Sequence, residues 1–404
     1  MNPVLVIGGG ISGITAAVEL AETGCEVVLI EKEPYLGGHV AGFNNYFPKF
    51  CPPVCGMEIN FRRIRSSHRI QYYTGAGATG ISGRKGNFSV EVRLEAQMIN
   101  ERCTACGRCA EVCPVERPGK PGRPAGQKAA SVPGGLTFPM KYSIDPTLCL
   151  RNDCGKCLEV CQYDAIQLDA QATLITLQVS SIIVATGWKP YDASRLAEYR
   201  YAQEPDVVTN LEFEHILAAC REENREFARP SDGKRPDSVA FVQCAGSRDV
   251  NHLPYCSAVC CSASVKHALT LNDSLPGTRS EIFYIDLRLS GRNEKLLARA
   301  EALGNISLTK GKVGRIERDK RGLVLEVEDI MAGKRRTDQF DLVVLATGLV
   351  PNLILPELQT DENGFYAPLQ EDGIVTVGSV RRPMDVSTSV KDATAAALMA
   401  IKAR

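Results

Sequence analysis

The chain lacks most of the features that would place it quickly. It has one tryptophan and five histidines, and no two histidines stand in an H-x-x-x-H or clustered spacing, so a histidine metal centre is not its chemistry. Lys+Arg and Asp+Glu are both 47. With no charge excess, nothing draws the chain to nucleic acid or to an anionic membrane surface. No apolar run approaches the roughly 20 residues that span a bilayer. Met1-Asn2-Pro3 leads straight into an apolar strand, without a charged n-region or a cleavage site. These absences describe a soluble, cytoplasmic chain with no membrane span of its own. One excess stands against them, the sixteen cysteines. Without a secretion signal, that number points to metal or redox chemistry before a disulfide framework.

At 404 residues there is room for two or three domains. Val4-Leu5-Val6-Ile7 reads as a buried strand, followed by Gly8-Gly9-Gly10-Ile11-Ser12-Gly13 and an amphipathic helix through Glu22. Strand, G-x-G-x-x-G and helix in that order form the dinucleotide fingerprint. Gly8, Gly10 and Gly13 permit the tight turn, and the backbone around Ile11 and Ser12 meets the pyrophosphate at the helix start. The next strand ends in Glu31, placed to accept a ribose hydroxyl, with Lys32 beside it. Leu36-Gly37-Gly38 favours FAD over NAD, because a second backbone approach suits the longer cofactor, and His39 is expected to neighbour it. Two further strands, 181–184 and 342–345, end in Ala185-Thr186-Gly187 and Ala346-Thr347-Gly348. This doubled element resembles the two-dinucleotide-domain flavoproteins of the thioredoxin reductase and glutathione reductase type. In that family the segment matching Gly373 to Gly378, ahead of a small-residue helix, closes over the flavin. Ser379 stands where many members carry an aspartate.

Between the fingerprint and the first A-T-G lies a foreign block. Cys103-x2-Cys106-x2-Cys109-x3-Cys113-Pro114 is the bacterial ferredoxin run, and Cys149-x4-Cys154-x2-Cys157-x3-Cys161 is a near copy with a longer first gap. In two-cluster ferredoxins the fourth cysteine of each run ligates the other cluster. That assigns Cys103, Cys106, Cys109 and Cys161 to one 4Fe–4S cluster, and Cys149, Cys154, Cys157 and Cys113 to a second. Zinc is the alternative, although zinc pairs usually come as C-x2-C couples with longer gaps. The Pro-, Gly- and Lys-rich stretch from 118 to 135 reads as a mobile loop within this insertion.

A third group of cysteines sits where a nicotinamide-binding domain would carry glycines. The strand Ser238 to Val242 and the helix after Ser262 enclose Cys244-Ala-Gly-Ser-Arg-Asp249, then Cys256, Cys260 and Cys261. Only one glycine of the pattern survives, so NAD(P)H is not expected to dock here. Four thiolates within eighteen residues suffice for a third 4Fe–4S cluster; buried or disulfide-paired thiols are the other reading. Cys25 and Cys220 read as core. Cys51 and Cys55 are open between a redox disulfide, ligands to a partner's cluster and plain structural thiols, and Arg62, Arg63 and Arg65 read as a solvated face.

The stretches "CPPVCGMEINFRRI", "CTACGRCAEVCPVE", "AFVQCAGSRD" and "HLPYCSAVCC" together resemble the A-type flavin component of quinone-interacting membrane-bound oxidoreductase complexes, a relative of the A component of heterodisulfide reductase. The resemblance implies an electron-transfer oxidoreductase subunit carrying FAD and iron–sulfur clusters, linking the quinone pool to adenylylsulfate (APS) reductase. It also implies two partners, a haem-bearing membrane subunit plus a second flavin/iron–sulfur protein, holding the chain at the inner face of the cytoplasmic membrane. A stand-alone NAD(P)H oxidoreductase and a heterodisulfide-reductase-like bifurcating subunit are the alternatives. In the heterodisulfide reductase relatives the lysine matching Lys266 lies near the flavin N5 edge, which makes Lys266 the catalytic candidate. The expected fold is α/β, a thioredoxin-reductase-like flavoprotein with an inserted two-cluster ferredoxin. The FAD domain falls in pieces 1–97, 173–200 and 341–404, the ferredoxin in 98–172, and a degenerate second dinucleotide domain in 201–340.

Overall fold

The computed structural model describes residues 2–117, 128–132, 136–368, 370 and 373–402. Most of the expected loop, at 118–127 and 133–135, therefore lies outside the described residues.

Runs of apolar, β-branched residues form strands buried on both faces, as a parallel sheet requires. The first sheet orders Ile374–Thr376, Ser181–Val184, Val4–Ile7, Val27–Glu31 and Ile70–Thr74, all parallel. One of its faces packs on the helices Ile11–Glu22 and Val386–Lys402 through Val4, Val6, Leu20, Ala393 and Ala397. The other packs, through Leu5, Ile7, Val28 and Ile30, on an antiparallel layer of Ala76–Arg84, Asn87–Leu94 and Thr173–Val179.

The cysteine-rich insertion leaves and rejoins this layer at one point, since Leu94 and Thr173 are register partners in adjacent strands. A unit whose ends meet can be inserted without disturbing its host. Its small core gathers Met98, Ile99, Ile144, Ile166 and Leu168 around the cysteines. Leu36 N donates to Phe138 O at 2.7 Å, and the Tyr35 hydroxyl donates to Lys141 O at 3.0 Å. Phe138 stacks on Phe61 at 5.1 Å, and Arg65 lies over its ring. Arg65, itself exposed, thus touches the insertion from the host, while Arg62 and Arg63 pair on the surface with Glu58 and Glu22.

The second sheet orders Val207–Thr209, Leu342–Thr347, Ser238–Ala245, Arg279–Tyr284 and Ile306–Arg318 in parallel, extended antiparallel by Leu323–Asp329 and Lys334–Phe340. This moves one boundary. Leu342–Thr347 pairs with Val207–Thr209 and Ser238–Ala245, so it completes the second domain and is not part of the 341–404 flavin piece. The same strand-plus-A-T-G motif ends one strand in each domain, and the motif alone does not say which sheet it joins. The chain crosses between domains on an antiparallel pair, Trp188–Pro190 with Leu349–Pro351, and the first sheet resumes only at Ile374–Thr376.

Candidate functional site

The helix Ile11–Glu22 starts at Gly10 with no side-chain cap, so its first N–H groups, Ile11 and Ser12 included, are left for a ligand. A Cβ on Gly13 would stand 1.8 Å from Gly8 O, and one on Gly8 would stand 2.4 Å from Ala185 O. Strand, turn, helix and the first A-T-G therefore touch as backbone, and no larger residue fits. Gly37 N donates to Gly9 O at 2.7 Å, and a Cβ on Gly38 would lie 3.0 Å from Gly10 Cα, which brings the second glycine pair over the first. A Cβ on Gly10 itself would meet nothing nearer than 3.9 Å. That open floor beneath uncapped amides fits a pyrophosphate.

Glu31 is buried at the end of its strand; its two oxygens accept from Gly9 N at 2.6 Å and Glu33 N at 2.9 Å. Burial pushes its carboxyl up, and those two donors offset part of the push. A carboxylate has further lone pairs to offer a hydroxyl. Lys32 points to solvent beside Glu33. The His39 ring packs on Trp188, and its Nε2 lies 2.9 Å from Trp188 O, just past Thr186 and Gly187. The Thr186 hydroxyl donates to Asn352 O at 2.7 Å, and Asn352 N donates to Gly187 O at 3.0 Å. Gly378 lies against Ser12 and donates its N–H to Asp392 at 2.8 Å, so the C-terminal segment closes on the fingerprint. Gly348 does not join it. A Cβ there would strike Ser247 Oγ at 2.3 Å and Ser257 Oγ at 2.8 Å, which places Gly348 against the third cysteine loop instead of the flavin cradle.

In the insertion, Cys103, Cys106, Cys109 and Cys161 line one cavity of ≈ 330 Å³ with Tyr142 and Tyr163. Burial pushes the Cys109 thiol up to about 11, helped by nearby Cys103, Cys106 and Cys157. Burial also raises Cys157, and the neighbours that add to it are Cys149, Cys154 and Cys113. Each group thus combines three thiols of one run with the fourth of the other. Among the described residues no three His, Cys, Asp or Glu side chains could hold a single metal ion.

The third loop builds its own cavity, also ≈ 330 Å³, lined by Cys244, Cys256, Cys260 and Cys261 with Arg248, Asp286 and Arg288. Cys260 and Cys261 open the helix Cys260–Ser274, on the turn where a dinucleotide domain seats its pyrophosphate. The Cys260 thiol points at Thr347 O at 3.5 Å and that of Cys261 at Asp286 O at 3.7 Å. Among the described residues, no disulfide joins any of the sixteen cysteines. One local device recurs in all three loops. Ala105 N donates to Cys103 Sγ at 3.4 Å, Arg151 N to Cys149 Sγ at 3.3 Å, and Ala258 N to Cys256 Sγ at 3.4 Å. The three donor residues share a left-handed backbone, with φ of 56°, 50° and 61°, which non-glycine residues adopt only when the surroundings demand it. Cys244 is left-handed too, at 58°.

Lys266 is neither exposed nor open. It is buried and donates to Asn45 O at 2.8 Å and to Glu214, which also holds His267. Glu214 Oε1 accepts from Asn44 N at 3.0 Å and Asn45 N at 3.2 Å. Burial pushes the Glu214 carboxyl up, but Lys266 and His267 outweigh it and hold it well below the usual range; burial lowers both bases. Two of the three ammonium donors are committed here, so Lys266 acts first as a clasp between the second domain and the loop after Gly37-Gly38. No sequence signal marks Glu214, which reads as a polar helix position. Cys51 and Cys55 flank Tyr46, whose hydroxyl is pushed up by burial and by both thiols; Cys55 is exposed.

Comparison with known proteins agrees with this geometry. An NAD(P)-binding Rossmann-like domain matches residues 6–66, and a 4Fe-4S binding domain matches 96–116. Among solved structures, thioredoxin reductase of Lactococcus lactis aligns with TM-score 0.54 at 16% identity, covering 100% of this chain and 99% of that one. Bacillithiol disulfide reductase of Bacillus cereus aligns with TM-score 0.53 at 14% identity, covering 99% and 98%. At such identities the likeness is one of fold. Closer in sequence are the A components of two methanogen enzymes. That of the H(2):CoB-CoM heterodisulfide,ferredoxin reductase of Methanothermobacter marburgensis is 33% identical over 99% of this chain and 63% of the relative. The second iron-sulfur A component of the CoB--CoM heterodisulfide reductase of Methanopyrus kandleri is 35% identical over 99% and 64%. The chain spans a little under two thirds of those relatives. Over nearly its whole length the chain is similar to these heterodisulfide reductase A components, and it is built on the thioredoxin reductase fold with a ferredoxin-type insertion.

Proposed function

We propose that the chain is an electron-transfer oxidoreductase subunit that holds FAD in the 4–42 cradle and three 4Fe–4S clusters in its three cysteine loops. FAD, when bound, converts two-electron into one-electron chemistry, and the chain's own residues fix the centres and exclude water. The observation that carries this reading is the turn shared by Cys103, Cys149 and Cys256, each sulfur receiving an N–H from a left-handed residue two positions on. Hydrogen bonds to cluster sulfurs are among the features that tune such centres. The insertion is pinned to the cradle at Leu36 and Tyr35. Tyr191, whose hydroxyl lies 2.7 Å from His252 in the third loop, is the third residue after Trp188, which packs against His39. Extended chain of that length reaches about 10 Å at most, so the third loop lies a short step from the cradle.

The relatives favour a heterodisulfide-reductase-like role, with the chain as the flavin-bearing member of a larger complex and electron bifurcation as its chemistry. The quinone-linked reading, in which the partners are APS reductase and a haem-bearing membrane subunit, rests on motifs such as Cys51-Pro-Pro-Val-Cys55 and is second. No described helix is long and apolar enough to cross a membrane, so a membrane link would run through a partner. A stand-alone NAD(P)H enzyme is disfavoured, because Tyr191 closes on Gly246, where a Cβ would stand 2.6 Å from the ring. The test is iron and acid-labile sulfide per flavin in anaerobically purified protein, combined with EPR of the reduced form. About twelve irons are expected for three cubes; zinc, or iron without sulfide, would refute the reading.

A further inference from the structure

We infer that Arg248 sets the reduction potential of the centre at the Cys244, Cys256, Cys260 and Cys261 cavity, and that it raises it; this rests on reading that cavity as a cluster site. Arg248 lines the cavity together with Asp286 and Arg288. Its Nη2 is anchored to Asp286 Oδ2 at 2.9 Å, while its Nη1 is buried beside the Cys244 thiol and meets no acceptor in good hydrogen-bond geometry. A buried guanidinium N–H without an acceptor is costly, and a cluster sulfur or its thiolate would satisfy it. The backbone supports the same aim. Arg248 is left-handed, with φ of 58°, and its N–H is tied to Tyr255 O at 3.1 Å. A non-glycine residue held in that region is fixed by its surroundings, and here the fixing turns the side chain toward Cys244, with which it interacts.

The charge balance gives the direction. Asp286 is shared, lying 2.9 Å from Arg248 and 3.9 Å from Arg288, so two guanidinium groups face one carboxylate and one positive charge is left over. The ferredoxin-type cavity differs, since Arg108 is the one charged side chain lining it, beside Tyr142 and Tyr163. Reduction adds negative charge to a cluster. A positive group and a donor beside the sulfurs favour the reduced form, and net charge and sulfur hydrogen bonds are recognised levers on cluster potential. Arg248 supplies both from one side chain.

The experiment is an EPR-monitored redox titration of the full chain, anaerobically purified with flavin and iron in place, for Arg248→Gln and Arg248→Lys. In Arg248→Gln the couple of the third centre should fall by at least tenfold in its equilibrium constant, about 59 mV for one electron, with the two ferredoxin-type couples unmoved. Arg248→Lys, which keeps the charge but loses the fork, should recover part of the shift. An unchanged third couple in Arg248→Gln overturns the inference, as does an equal shift in all three centres. If Arg248→Gln loses the centre, Arg288→Gln must show a smaller fall in the same direction, and no fall there overturns it. Wild-type protein with about eight irons and no third signal would sink the cluster reading itself, an outcome distinct from a present but unmoved couple.

Discussion

The Glu214 clasp offers a prediction whose size follows from the structure. The carboxylate and the two bases are almost fully buried, with side-chain exposures of 4% for Glu214, 5% for Lys266 and 2% for His267. Breaking a buried pair by removing one partner costs about 3–5 kcal/mol, since it strands the other charge. Glu214→Ala also abandons the Asn44 and Asn45 N–H groups, so it should lie at the upper end. Glu214→Gln keeps an acceptor for them and should lie at the lower end. Removing both charges is expected to be far milder than the sum, because well-packed apolar replacements of buried pairs are often neutral. Glu214→Gln/Lys266→Met should therefore recover at least about 1 kcal/mol of the single-mutant loss, a coupling of the size seen for groups in contact. Hydrogen exchange of the Cys260–Ser274 helix amides in the holoprotein reads the local opening energy directly. The pH dependence has a fixed sign. Glu214 is depressed in the fold, so its stabilisation is present above the unfolded value near 4.5 and lost as pH falls below it. His267 is also depressed, so the unfolded state takes its proton first and stability already begins to fall below about pH 6.5. Losses under about 1 kcal/mol, the range of surface pairs, or zero coupling in the double mutant, would refute the clasp.

Three further outcomes are expected. Gly13→Ala should purify without flavin, because its Cβ would stand 1.8 Å from Gly8 O; normal flavin absorbance would contradict the cradle. Cys260→Ala should lose about four of about twelve irons and keep both ferredoxin-type EPR signals, whereas unchanged iron would remove the third site. NADH and NADPH should not bleach the flavin at catalytic rates in stopped flow, and fast reduction by either would restore the stand-alone enzyme.

The sequence carried the features that are local. The fingerprint was legible because a strand buried on both faces must be apolar and the turn after it must be glycine, and the structure leaves no room for a Cβ at Gly8 or Gly13. The ferredoxin runs were legible because cluster ligation fixes cysteine spacing. What was not legible depends on distant packing. Leu342–Thr347 ends in the same A-T-G as Ser181–Val184, and only its partners, Val207–Thr209 and Ser238–Ala245, assign it to the second sheet. Gly348 was drawn with it, away from the flavin and onto Ser247 and Ser257. Glu214 and Lys266 look like ordinary helix charges until residues 44–45 fold across them. Arg65 stays exposed as expected, but that Phe138, far along the chain, would lie beneath it is not visible in the sequence.

The opening of the Cys260–Ser274 helix explains why thiols stand where glycines would. A pyrophosphate and an iron–sulfur cube with four thiolate ligands are both compact anions, and both are stabilised by N–H groups converging at a helix start. The dinucleotide frame therefore needs little change to hold the second in place of the first. The strand Ser238–Ala245 and the helix keep their places, the close backbone approach is given up, and the turn between them lengthens. Its left-handed residues are Cys244, Arg248 and Ala258, in a turn that a dinucleotide domain fills with glycines. The exchange is exclusive in this reading, since Cys260 and Cys261 take the helix start and Tyr191 packs on Gly246 where a nucleotide would need an open floor like that over Gly10. In this reading, a domain that would take electrons as hydride from a diffusing cofactor has become one that takes them singly from a fixed centre.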